Sequence, residues 1–299
     1  MPSPTKARPV KLPAGLTLEQ GFALIARNCL RQIRANEAGL RLSEEPEFVH
    51  QMRVGLRRLR SALGLFKPWI VLPPELAEEI AWLGQTLGAA RDAEVLAGTT
   101  LPALTQACVD LEDLGGLQKA AANLAQRRRR QAVLALNSER YLGLMAGLEG
   151  WLKAHGWRTD SPRPDELGTP LAEAAKQMLK RRREKLQKQA QALPEQASAD
   201  ARHRVRIAVK KLRYAGDFFR ALAATPSKAR RDQITALQEL LGQLNDAEVG
   251  RGLLLELGNK AHAGPAAFVR GVLWAQSQQR IVELAALLQA LSSKCRQIP

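Results

Sequence analysis

Basic side chains that recur at helical spacing are the residues of this sequence with the clearest chemistry. On an ideal helix, which turns about 100° per residue, His50, Arg53, Arg57 and Arg60 fall within an arc of about 80°. Apolar residues such as Leu56 fall on the opposite side of the same helix. Guanidinium groups present forked donors that match phosphate oxygens, so this row predicts an anion-binding face.

The same row returns in the second half of the chain. Segment 50–60 is repeated as 203–213, and every basic position after the first histidine is basic again in the second copy. The apolar side returns as well, with Phe66 matched by Phe219. Such a repeat indicates a duplicated structural unit. We name the two rows the first basic stripe (His50, Arg53, Arg57 and Arg60) and the second basic stripe (His203, Arg206, Lys210 and Arg213).

Further basic residues accompany these stripes. Two segments that precede them carry cations at matching helical spacing, and three more cations are weaker candidates because of their direction on the helix or their place in a basic run. Arg58 and Lys211, for example, point about 80° away from the histidine of their stripe. The preceding cations are Arg27, Arg31, Arg34, Lys176, Lys180 and Arg183, and the weaker candidates are Arg58, Lys211 and Arg130.

Like charges one helical turn apart repel each other by a few tenths of a kcal/mol per pair in an isolated helix. Neither stripe contains an Asp or a Glu that would neutralise this repulsion. A solvated basic face is the alternative for any single stripe, but a solvated face need not keep its charge spacing through a duplication. We therefore expect a ligand of negative charge.

A second repeated motif carries two carboxylates. Segment 87–95 returns as 241–249, with Asp92 matched by Asp246. We expect each carboxylate to orient a ligand-facing arginine or to cap a helix break. A catalytic role is the alternative, but the sequence shows no second acid placed beside either residue.

The elements that position these residues are predicted to be helices. Strand and hairpin signals are missing, only 4% of the 299 residues are aromatic, and helix formers dominate. Proline and glycine punctuation and the internal repeat predict an all-α protein of two duplicated four-helix bundles. The expected parts are a disordered basic N-terminus (1–14), a first bundle (15–155), a linker (156–168) and a second bundle (169–295).

Composition narrows the function classes. The formal net charge of +16 favours an anionic partner. Cys29, Cys108 and Cys295 are too few and too scattered for a disulfide framework or a thiolate metal site. No secretory leader or membrane span is expected, so we predict a cytoplasmic protein without a membrane partner.

Metal ions and cofactors are not expected either. His50, His155, His203 and His262 have no His, Cys or carboxylate partner three or four residues after them on the ligand face, and the nearby cations would oppose a metal ion. Nucleic acid is not the expected ligand, because stacking aromatics are missing from the stripes. Rows of cations on several helices suit an extended polyanion that has phosphates and no bases.

The two histidine motifs and the two repeated Leu-Gly…Asp segments resemble those of the CHAD family, the conserved histidine α-helical domain. The likeness covers about residues 16–291. The resemblance implies two four-helix bundles related by pseudo-twofold symmetry, with a basic central cavity that binds inorganic polyphosphate, and an association with polyphosphate granules in some members. It assigns the two basic stripes to the ligand surface, with the cations of the preceding helices as contributors.

The resemblance does not imply an enzyme. CHAD domains often accompany a CYTH triphosphatase domain, whose Glu-x-Glu-x-Lys strand this chain lacks. The expected function is therefore polyphosphate binding without catalysis. The alternatives are a polyphosphate- or phosphoester-processing enzyme, or a nucleic-acid-binding protein.

Overall fold

A computed structural model describes residues 2–107, 114–193, 197–222, 228–258 and 261–293. Within these ranges the chain is predominantly helical and forms no β-strand, which confirms the all-α fold class. The α-helices are α1 (Leu18–Leu42), α2 (Pro46–Phe66), α3 (Pro74–Val95), α4 (Leu101–Ala107), α5 (Gly115–Leu136), α6 (Glu139–Lys153), α7 (Leu171–Gln191), α8 (Ala199–Phe218), α9 (Lys228–Leu257) and α10 (Ala263–Ser293).

Two helix boundaries show how local chemistry sets the element ends. α1 begins at a capping box in which the Thr17 and Gln20 side chains each accept a hydrogen bond from the other residue's backbone N–H. Segment 117–152 is predicted from sequence as one helix, but it is broken between α5 and α6. The Ser138 hydroxyl accepts a hydrogen bond from the backbone N–H of Tyr141 at 3.3 Å and starts α6 anew.

The backbone groups into two compact units, and each unit takes segments from both halves of the sequence. The predicted division into two successive bundles stays a prediction. The first unit comprises Met1–Arg91, Arg127–Lys180 and Tyr214–Ala224. The second unit comprises Asp92–Gln126, Arg181–Arg213 and Thr225–Pro299.

The core of the first unit contains an aromatic cluster. Phe22 lies 5.4 Å from Phe66 and 5.2 Å from Trp157 between ring centroids, and Phe66 lies 6.2 Å from Phe219. The matched pair Phe66 and Phe219 therefore shares one core. Trp157 belongs to the predicted linker 156–168, so this segment is anchored to the unit by buried aromatic surface.

The α1–α2 contact is unusually close. A Cβ atom added to Gly39 of α1 would lie 1.9 Å from Cε1 of Phe48, and one added to Gly55 of α2 would lie 2.9 Å from Cγ1 of Ile33. Both glycines are thus needed for the helices to approach. This approach fixes the direction in which α2 presents its basic side chains.

The N-terminal segment is part of the first unit and contacts α1. The backbone N–H of Thr5 donates to Oδ1 of Asn36 at 2.9 Å, and Nδ2 of Asn36 donates back to the Thr5 carbonyl at 3.0 Å. Leu12 is buried. The structure differs here from the expected disorder of residues 1–14, because Asn36 satisfies two backbone groups and Leu12 joins the core.

Two apolar clusters form the core of the second unit. One joins α7, α8, α9 and α10, with Val205, Val209 and Leu212 buried on the apolar side of α8. The other joins residues of α4, α5, α9 and α10. The apolar side of α8 is thus held in the core, which leaves its basic residues for the surface.

The thiol of Cys29 is buried and free, and burial raises its pKa to about 12. Cys108 and Cys295 lie outside the described residues. Among the described helices, none combines the length and the apolar character needed to cross a membrane.

Candidate anion-binding site

The first basic stripe follows the outer side of α2. Proline at the first position of this helix suits the free helix start. Met52, Leu56 and Leu59 are buried on its inner side. His50, Arg53 and Arg57 are half-buried and Arg60 is exposed. The predicted stripe therefore lies where a ligand can reach it.

Two glycines of α3 make room for the guanidinium groups of this stripe. A Cβ atom on Gly84 would lie 3.5 Å from Nη1 of Arg60, and one on Gly88 would lie 3.7 Å from Nε of Arg53. Gly84 and Gly88 are one helical turn apart and have no side chains. The surface of α3 is therefore recessed where it faces Arg60 and Arg53. The guanidinium groups of Arg53 and Arg60 thus lie over the backbone of α3.

Arg91 of α3 joins the first stripe, and sequence reasoning missed it. Its charge lowers the pKa of His50 more than any other charged neighbour does. In the second repeat the matching residue is Asn245. A search for basic positions shared by both copies therefore passes over Arg91, and the available signal was its place within the repeated segment 87–95, directly before Asp92.

The environment of His50 shows that the cations gather in one place. Burial lowers the pKa of His50 from its ordinary value of 6.5, and the charges of Arg91, Arg57 and Arg53 lower it further, while Glu47 opposes them. Three arginines thus act on one imidazole. This arrangement disfavours a further positive charge and favours a bound anion.

The Nε atom of Arg57 is buried and has no hydrogen-bond partner. An unsatisfied buried donor costs about 1–3 kcal/mol, and more when the group is charged. A phosphate oxygen at this atom would remove that cost. Arg57 is therefore a stripe residue that an anionic ligand would stabilise.

The three α1 cations differ in their surroundings. Arg27 and Arg31 are exposed, and Arg27 donates to the Leu152 carbonyl at 3.4 Å. Arg34 instead forms ion pairs with Glu149 at 2.9 Å and with Glu37 at 3.2 Å. Since two carboxylates already neutralise Arg34, it is a weaker candidate than Arg27 and Arg31.

Arg58 is part of the core and does not lie on the stripe surface. It is buried, donates to Oε1 of Gln32 at 2.8 Å and to Oδ1 of Asn28 at 2.9 Å, and stacks over the Phe218 ring. A buried guanidinium with these partners has a structural role. The structure thus separates Arg58 from the ligand-facing residues among which the sequence placed it as a weaker candidate.

The arginines of the run 127–130 also differ in their exposure. Arg130 is exposed, as a ligand-facing residue must be. Arg129 is buried, donates to the Ser43 carbonyl and lies 3.6 Å from a carboxylate oxygen of Glu44. Arg129 therefore ties α5 to the α1–α2 turn.

The second basic stripe follows one side of α8. Arg206 and Lys210 are half-buried, and His203 and Arg213 are exposed. Three cations of α7 are predicted to accompany this stripe. Their side chains are all exposed: Lys176, Lys180 and Arg183. The first two belong to the first unit and Arg183 belongs to the second.

The repeated carboxylates lie together in the second unit. Asp92 and Asp246 both line one cavity of about 20 Å³, beside Leu96 and Gly250. This volume is enough for about one water molecule. Among the described residues, His, Cys, Asp and Glu side chains form no group of three that could hold a metal ion.

A pH dependence follows from the environment of His50. A bound polyanion raises the pKa of His50 from its lowered value in the free protein, so ligand binding takes up a proton. We expect affinity for a polyanion at fixed salt to rise as the pH falls from about 8 to 6. The rise should be shallower in His50→Gln, and a wild-type profile no steeper than that of the variant would contradict protonation of His50.

Stability without ligand has the opposite dependence. Because the folded state lowers the pKa of His50, the unfolded chain binds the proton more tightly. The contribution of His50 to stability is present above the unfolded pKa and is lost as the pH falls through the folded pKa. Acid therefore weakens the free protein at this residue while it strengthens ligand binding.

Comparison with known proteins identified a matching family model and solved structures of the same fold. The family model of the CHAD domain matches residues 24–255. The crystal structure of the CHAD domain from the plant Ricinus communis is 36% identical, with a TM-score of 0.82 over 96% of this chain and 97% of that chain. PptA from Streptomyces chartreusis shares the fold, with a TM-score of 0.68 and 17% identity over 92% of this chain and 99% of that chain. Comparison with curated protein sequences gave no match.

Proposed function

This chain belongs to the CHAD domain family, and from that premise we propose that it binds inorganic polyphosphate through its two basic stripes. Binding is by multiple charge pairs with release of counterions, and no catalytic step is part of the proposal. Convergence of the two stripes on one ligand stays a prediction. A place at polyphosphate granules in the cytoplasm belongs to the same proposal.

The observation that carries the proposal is the group of cations around His50. Arg53, Arg57 and Arg91 act on one half-buried imidazole, and the buried Nε of Arg57 has no hydrogen-bond partner. Such a group is costly without an anion and stabilising with one.

The shape of the stripe favours a chain of phosphates over a single phosphate. From His50 to Arg60 the stripe extends about 15 Å along α2, at about 1.5 Å per residue. One helix N-terminus or one glycine-rich loop is enough to bind a single phosphate. Cations placed on successive turns instead allow successive phosphates of one polymer to be bound.

The proposal is tested by equilibrium binding of long-chain polyphosphate to the purified protein at several salt concentrations. We expect the logarithm of the binding constant to fall linearly with the logarithm of salt concentration, at about 0.7 for each phosphate contact if the polymer behaves like a flexible single strand. Competitor DNA and RNA of equal phosphate content should displace polyphosphate poorly.

Two results would contradict the proposal. Tighter binding of nucleic acid than of polyphosphate would assign the stripes to nucleic acid. Shortening of polyphosphate on a gel after incubation with divalent metal ions, or release of phosphate, would show an enzyme. A preparation with Arg57→Ala controls for contaminating phosphatases, whose activity would not change with this substitution.

A further inference from the structure

A second basic feature of the molecule lies outside the two stripes. It is a cavity of about 230 Å³ between the C-terminal part of α7 and the middle of α8, all within the second unit. We call it the α7–α8 cavity. Its lining includes Arg182, Lys185, Gln189, Arg204, Ile207 and Lys211.

The cavity faces a different direction from the second basic stripe. On α8, Arg204 and Lys211 point about 130° away from the mean direction of the stripe, at about 100° per residue. Lys211, predicted as a weaker stripe residue, therefore belongs with the cavity. The basic groups of α8 form two surfaces, of which the stripe uses one.

The corresponding face of the first repeat is closed. Ala208 lines the cavity, and its match in the first copy is Gly55, where an added Cβ would lie 2.9 Å from Cγ1 of Ile33 and 3.4 Å from the Cys29 carbonyl oxygen. α1 and α2 thus touch along the face that α7 and α8 leave open. The repeated fold alone therefore does not produce this cavity, because the matching face of the first copy is closed.

The chemistry of this face also changes between the copies. In the first copy Gln51 and Arg58 both bond to Gln32, with Oε1 of Gln51 accepting at 3.0 Å and Arg58 donating at 2.8 Å. In the second copy the same positions are Arg204 and Lys211, which line the cavity. A closed amide network has been replaced by an open face with added positive charge.

The cavity has three chemically different parts. Arg182, Lys185, Arg204 and Lys211 supply four positive charges. Ile207 supplies an apolar surface that is 38% exposed. Oε1 of Gln189 is buried without a hydrogen-bond partner and needs a donor.

A ligand that meets all three parts carries several negative charges, a flat apolar face and a hydrogen-bond donor. We propose that the α7–α8 cavity binds a nucleoside di- or triphosphate, with its phosphates at the lysines and arginines, its base on Ile207 and the Arg204 plane, and its exocyclic amine at Gln189. Arginine planes are a common stacking surface for bases. The volume of about 230 Å³ lies below the range of about 300–1,000 Å³ for ligand clefts, so part of the nucleotide would stay in solvent.

The electrostatics of Arg182 are consistent with this site. Burial lowers the pKa of Arg182 from its ordinary value, so the positive charge of this side chain is poorly solvated. Phosphate oxygens beside Arg182 would stabilise this charge. This inference does not depend on the proposed polyphosphate function, because the residues that carry it are not those of the stripes.

The test is calorimetric titration of the purified chain with ATP and, separately, with tripolyphosphate and adenosine. We expect saturable binding of one ATP per chain, with ATP tighter than tripolyphosphate. Lys185→Glu should lower ATP affinity about 10-fold or more, since charged hydrogen bonds are worth about 1.5–3 kcal/mol. Lys188→Glu is the matched control, since Lys188 is exposed on α7 and does not line the cavity, and it should change affinity less than about twofold.

Gln189→Leu separates the nucleotide from a bare phosphate chain. We expect it to weaken ATP binding and to leave tripolyphosphate binding unchanged. Equal affinity for ATP and tripolyphosphate with no effect of Gln189→Leu would show a polyphosphate subsite instead, and would overturn the proposal. No saturable ATP binding would also overturn it. Arg53→Glu/Arg57→Glu should keep ATP binding, because these residues lie on the first basic stripe and not in the cavity. Failure of the polyphosphate proposal can therefore be told apart from failure of the nucleotide proposal.

Discussion

Arg53→Glu/Arg57→Glu is expected to lower affinity for long-chain polyphosphate by about 100-fold or more at low salt. Each arginine loses a charged hydrogen bond worth about 1.5–3 kcal/mol, and about 1.4 kcal/mol corresponds to a tenfold change. The new carboxylates also repel the ligand beside Arg91. The slope of log affinity against log salt should become shallower by about 1.4, for two lost contacts at about 0.7 each.

The matched control is Lys67→Glu/Lys153→Glu, which makes the same change in net charge at exposed residues of the first unit. It should change polyphosphate affinity by only a small factor. An equal loss in both double variants would mean that net charge alone drives binding, and would refute a defined site. Circular dichroism melts show whether each variant is folded.

Gly39→Ala is expected to destabilise the protein by about 1–3 kcal/mol, the range for overpacked cores. The new Cβ would lie 1.9 Å from Cε1 and 2.3 Å from Cζ of the Phe48 ring, which is itself buried. A ring cannot bend away as a flexible chain end can, so α1 and α2 must separate. Urea unfolding followed by circular dichroism measures the change in free energy of unfolding.

Gly143→Ala is the control for helix propensity. Gly143 lies within α6, and an added Cβ would have nothing within 4 Å. We expect a gain of about 0.5–1 kcal/mol, because alanine loses less backbone entropy than glycine in a helix. Unchanged or increased stability in Gly39→Ala would refute the close α1–α2 contact. Gly39→Ala/Phe48→Leu should recover part of the loss if the ring is the cause.

The helical class could be predicted from sequence because composition and periodicity act locally. The helix pattern of Pro46–Phe66 and its proline start need no tertiary information. The break before α6 was missed, since one hydroxyl at Ser138 decides it and serine is common within and between helices. The N-terminal contacts were missed because they depend on Asn36, which is remote in sequence from Thr5.

The direction in which the stripe residues point could be predicted from the sequence, but the residues that the arginines contact could not. Helical spacing placed the first basic stripe opposite the apolar side of α2, and the exposure of its members agrees with that placement. Whether an arginine meets an acid or an amide depends on other helices. Arg34 meets Glu149 of α6, and Arg58 meets Gln32 of α1. Helical direction on one element carries no information about either contact.

The glycines at 84 and 88 set a size limit beside the first stripe. An added methyl group at Gly88 would sit 3.7 Å from Arg53, at ordinary van der Waals distance, whereas a longer side chain would occupy the volume of the guanidinium. Ligand affinity can therefore be reduced by bulk at α3 while every formal charge is kept. Such steric variants separate the geometry of recognition from its electrostatics, which charge substitutions alone cannot do.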